Sequence, residues 1–76
     1  MTEFLRLKAI YEHAVAEEKR VREEIIFNNR AIAHATTAAE LAQARGNKMR
    51  AELLRPIAEG RTMTAWENMR KAHREL

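Results

Sequence analysis

Residues 3–35 read EFLRLKAIYEHAVAEEKRVREEIIFNNRAIAHA, and the spacing of their apolar members decides the fold. Phe4, Leu7, Tyr11, Ala14, Val21, Ile25, Ile32 and Ala35 step by threes and fours, the a and d positions of a helix that buries one seam against another helix. The stretch holds no Gly or Pro, and Glu, Lys, Arg and Ala fill most other positions, so propensity agrees with periodicity. A helix of this length runs roughly 50 Å at 1.5 Å per residue. The rest of the chain looks too short and too interrupted to cover it. The long helix is therefore read as an assembly element packed against its own copy. Leu7, Tyr11, Val21, Ile25, Asn28 and Ile32 supply the seam of an intertwined or antiparallel homodimer.

Within this helix Thr2 is a candidate N-cap, followed by Glu3 in the first turn, where the helix dipole favours an acid. Glu18 interrupts the seam at an a position and Asn28 at a d position. A buried Asn in such a seam sets register and partner number at some cost in stability. The alternative is that Asn28-Asn29 forms a turn and splits the helix into a hairpin. Glu18–Arg22, Lys19–Glu23 and Arg20–Glu24 have the i,i+4 spacing of ion pairs on an exposed face.

Beyond residue 35 the spacing predicts two or three short helices. Thr37-Ala38-Ala39-Glu40 has the pattern of a capping box, so a helix starts there after a bend near residues 34–36. A first helix running straight through to Arg45 is the rival. Gly46 suits the position after a helix C-terminus and Asn47 the cap of the next helix. That next helix, about residues 48–58, is expected to bury Met49, Leu53, Leu54 and Ile57. Pro56 predicts a kink or break, Gly60 an end, and Thr64-Ala65-Trp66-Glu67 a second capping box that opens a last helix. The expected whole is an all-α protein, one helical domain over residues 1–76. No alternating apolar and polar run predicts a strand.

At 76 residues the chain is near the size where a monomeric core becomes marginal, and 46% apolar with 33% charged residues fits a folded helical protein rather than a disordered one. Absence of cysteine removes disulfides and thiolate metal sites, which suits the cytoplasm. Met1-Thr2-Glu3 starts no basic region followed by an apolar run, so no secretory signal is expected, and no apolar run reaches the ~20 residues of a membrane span. The net charge of +3 is uneven: from Arg45 onward eight bases face four acids, a balance of +4. A basic half of this kind meets nucleic acid, an acidic protein surface or solvent.

The chain contains no Ser, Asp or Cys, so Ser-His-Asp and Cys-His nucleophilic sites and aspartate-based phosphoryl transfer are out of reach. Two glycines build neither a P-loop nor a dinucleotide fingerprint. His13, His34 and His73 lack the i,i+3 or i,i+4 pairing of helical metal sites, so neither metal nor cofactor is expected, and the protein is read as no enzyme. Leu41-Ala42 followed by Gly46 resembles the first helix and turn glycine of a helix-turn-helix unit, which would make residues 37–58 a degenerate DNA-binding motif of a transcriptional regulator. Glu52 and Arg55 then fall where a recognition helix turns apolar residues inward.

The expected function is non-catalytic: a basic helical interaction or inhibitor protein that docks on a larger protein without entering a membrane. As a class, short cysteine-free helical chains of this kind look like viral (phage) and mobile-element accessory proteins. Trp66, Met69, Arg70 and Arg74 on the last helix form the expected partner surface, because interface centres favour aromatics beside arginines. Glu67–Lys71 pairing would leave those arginines free, while Trp66 as a buried core anchor is the competing assignment. Failing that surface, the outer face of the first helix around Arg22, Ile26, Phe27 and Arg30 is next.

Overall fold

The computed structural model describes Thr2 to Glu75 as two long α-helices, α1 (Thr2–His34) and α2 (Ala38–Arg74), joined by a three-residue turn. They pack antiparallel: the Phe4 ring meets His73 with centroids 5.4 Å apart, and Tyr11 meets Trp66 at 5.6 Å. The hairpin is a rod of 58 × 14 × 12 Å, the length that 37 residues at 1.5 Å each require.

The turn follows from local chemistry. Thr37 leaves the helical region (φ −127°, ψ 157°) and its Oγ1 accepts the Glu40 N–H at 3.1 Å, capping α2. The return contact of the box goes one residue further back: Glu40 Oε2 accepts the Thr36 N–H at 3.0 Å and the Thr36 hydroxyl at 3.2 Å. Those two donors, the backbone N–H first, hold the Glu40 carboxyl below its ordinary range. The expected bend near residues 34–36 is thus present, and Asn28-Asn29 is not a turn but part of α1. Thr2 is the first helical residue rather than the cap before it.

The seam of α1 is the expected one, but its partner is different. Ala14, Val21 and Asn28 are buried and Leu7, Tyr11, Ile25 and Ile32 half-buried against α2 of the same chain. The homodimer assignment of these residues is therefore corrected to an intramolecular seam. The rest of the chain, expected to be too short and too interrupted to cover α1, covers it after all. In the hairpin α2 runs unbroken through Gly46, Pro56 and Gly60, with no positive φ at any described residue. Gly46 is therefore no C′ residue, Asn47 accepts weakly from Gln43 inside the helix (3.5 Å), and Thr64 caps nothing. Pro56 sits on the exposed outer side, where the Glu52 carbonyl it leaves unpaired can turn to water. One long neighbour lying alongside supplies packing that a lone helix with these residues lacks.

Residues 37–58 accordingly form no two-helix unit with a turn at Gly46. The expected core of the third helix is also corrected. Met49, Leu53, Leu54 and Ile57 are 64%, 67%, 43% and 51% exposed, and Ala51 and Ala58 are buried in their place. α2 presents Ala44, Ala51, Ala58 and Ala65, every seventh residue, to α1. Among the described residues no Leu, Ile, Phe, Met or Trp is buried. Thr62 adds one polar clasp, its hydroxyl within reach of the Ala14 carbonyl across the seam (3.2 Å) and the Ala58 carbonyl (3.1 Å).

Candidate interaction surfaces

Because alanines fill the inward row of α2, its large apolar side chains stand outside, exposed to solvent. On one flank a groove of about 790 Å³ runs between the helices. Its floor is Ala14, Val21, Ala58 and Ala65, its walls are Ile10, Leu54 and Ile57, and its rim carries His13, Glu17, Arg61 and Asn68. Short floor residues make the groove; a Leu row there would fill it. Ile10 is 45% exposed, so all three walls show apolar surface to solvent.

On the other flank Trp66 rests one side of its indole on Tyr11, with the ring planes tilted by 50°, and leaves 43% of its surface free. It is both an anchor of the seam and an exposed aromatic. Met69, its expected neighbour on the partner surface, is half-buried in the seam. Arg70 and Arg74 are exposed and share a shallow outer depression with Glu67, Asn68 and Lys71. None of the ion pairs among the described residues joins Glu67 to Lys71, so the basic stripe has a third member. On the alternative face Ile26 and Phe27 are 51% and 70% exposed, and Arg22 and Arg30 are exposed beside them.

The ion pairs decorate single helices. Glu18 pairs with Arg22 and Lys19 with Glu23 (4.0 Å), as their spacing predicts. Arg20 turns back to Glu17 at 3.1 Å instead of forward to Glu24. Lys48–Glu52 (3.8 Å) and Arg55–Glu59 (3.0 Å) continue the pattern on α2. Exposed pairs of this kind contribute little each, so packing along the seam and the turn caps carry the hairpin.

The groove residues Ile10, Leu54, Ile57 and Arg61 were absent from the surface expected from sequence. The signal that would have found them is the alanine row Ala44, Ala51, Ala58, Ala65 and Ala72, a stricter repeat than the Leu and Ile near it. Among the described residues no three groups gather to hold a metal, and no helix is long and apolar enough to cross a membrane. Compared with protein-family models, curated proteins and solved structures, the chain matches none.

Proposed function

We propose that this protein is a non-catalytic helical interaction module that works as a homodimer in the cytoplasm and docks on a larger protein, in the manner of an inhibitor or accessory protein of a phage or mobile element. One observation carries the reading: the hairpin buries alanines and leaves eleven large apolar side chains exposed. Large apolar side chains left to solvent in that number belong to a chain that completes itself by association. The lack of Ser, Asp and Cys supports a binding role over a catalytic one. Trp66 with Arg70 and Arg74 is the favoured docking surface, with Met69 contributing its edge.

Light scattering at high micromolar concentration tests the assembly, with twice 8.8 kDa the expected mass and a monomer mass fatal to it. Capture of a partner from host extract with the Arg70→Glu, Arg74→Glu double variant tests the surface. Retained helix content with lost capture supports it, and capture at full strength removes it. Repeating the capture across a salt series identifies the partner class, since binding to phosphates weakens steeply with salt and an apolar protein interface does not.

A further inference from the structure

We propose that the groove walled by Ile10, Leu54 and Ile57 seats a second copy of this chain, with α1 of each hairpin lying on α2 of the other. This rests on the homodimer reading above and adds to it a face and an arrangement.

The surface area comes first. The chain exposes 6011 Å², whereas a compact monomer of its mass exposes about 4,800 Å². The difference, about 1,200 Å² per chain or about 2,400 Å² per dimer, falls at the low end of obligate homodimer interfaces. A rod two helices wide has no other way to reach compactness than to stack on another layer, and the groove offers an apolar floor and walls for that layer.

Charge selects the occupant and its orientation. Seven residues along α1 match seven back along α2, since Phe4 meets His73 and Tyr11 meets Trp66. On that register Glu17, on the α1 rim, stands level with Gly60 and Arg61 on the α2 rim. The nearest contacts of Glu17, to Arg20 and His13, both use Oε1. Arg61 has no ion-pair partner among the described residues. A two-fold axis along the rod keeps every level and sets α1 over the partner's α2. Glu17 then faces the partner's Arg61, and the symmetry makes the contact twice. The other two-fold, across the rod, stacks α1 on α1 and turns the Glu17 and Glu24 row on itself, which like-charge repulsion disfavours. The opposite flank lacks this match at its Trp66 end, where Lys8 stands level with Met69 and Arg70.

Four variants test the proposal by dimer mass and dissociation constant, with circular dichroism separating lost pairing from lost folding. Ile57→Glu should weaken the dimer by roughly thirtyfold or more, as for an interface hot spot. Met63→Glu, at an exposed α2 residue outside the groove, should leave it intact. Arg61→Glu and Glu17→Arg should each weaken it, and mixing the two in equal amounts should restore it. In the mixture every inter-chain pair is opposite in charge while the pair within each chain is alike, so only contacts between copies explain recovery. If Ile57→Glu unfolds, the rim variants carry the test. A dimer that survives Ile57→Glu, or is lost with Met63→Glu, overturns this face. Single charge reversals without effect, or a mixture that fails to recover, overturn the arrangement while the homodimer stands. A monomeric parent protein removes the homodimer and this arrangement with it.

Discussion

The two helices have nearly the same length and lie along each other, yet they are made differently. α1 has no Gly or Pro in 33 residues and meets the seam with Leu7, Tyr11, Val21 and Ile25. α2 has two glycines and a proline in 37 residues and meets it with alanine every seventh position. One helix is specified by its own residues. The other is held straight by its neighbour and contributes closeness rather than bulk. Small residues on one side let larger ones on the other reach the seam, and the large side chains of α2 are left to solvent.

The largest effect expected from this contrast is at Pro56. Pro56→Ala restores a helix donor and relieves the clash with the preceding turn, so urea denaturation should show stability rising by up to ~3 kcal/mol. No change there would mean that α2 follows the helix by its own preference, and the contrast would collapse. Next, Ala51 is 1% exposed, the most buried residue of the alanine row. Ala51→Leu should cost about 2 kcal/mol despite its greater hydrophobicity, because the helices must part to admit it. A stabilised variant in the same denaturation would show that the seam has room after all.

At the turn, Thr37→Ala removes the side-chain acceptor of the Glu40 N–H, and thermal melting should register a loss of about 1 kcal/mol. Gly46→Ala should gain slightly less than that, ~0.8 kcal/mol, since a Cβ at Gly46 meets nothing within 4 Å and the backbone there is ordinary helix. Gly60 is equally open within the chain but lines the groove, so a smaller gain from Gly60→Ala in the same melts would register a second copy resting on it.

The smallest effect is the pH dependence. Glu3 is held below its ordinary pKa of 4.5 by its hydrogen bond from Arg6, and Glu40 by its bonds from Thr36. Both acids are lowered in the folded state, so their contribution is complete above pH 4.5 and fades as pH falls through the folded values. Both are fully exposed, so the decline should be shallow, and Glu40→Gln should flatten part of it in an acid titration of stability. A titration that stays unchanged in that variant would place the acid sensitivity elsewhere.

Much of this hairpin was legible in the residue order. The α1 seam, its polar members Glu18 and Asn28, the bend near residues 34–36 and the Thr37 cap all follow from periodicity and local donors and acceptors. Gly46 and Gly60 predict helix ends and Pro56 a kink or break, because propensity is a property of single residues. Their cost of a few kcal/mol is offset by packing along roughly fifty ångströms of neighbour, which no local window contains. The same omission sent Met49, Leu53, Leu54 and Ile57 into the core: ranked by hydrophobicity they outbid alanine, and only the height of the opposite helix shows that alanine is what fits.

Helix content, the boundary between the two helices and the inward face of α1 are thus determined by the sequence alone, because each depends on residues three or four apart. The continuity of α2 and the identity of its inward face were decided by tertiary structure. So was the exposure of Ile10, Leu54, Ile57 and Trp66 on opposite flanks. These depend on residues some fifty positions apart, where Ala14 meets Thr62 and Tyr11 meets Trp66, and on how closely two backbones approach when one side of the seam is alanine.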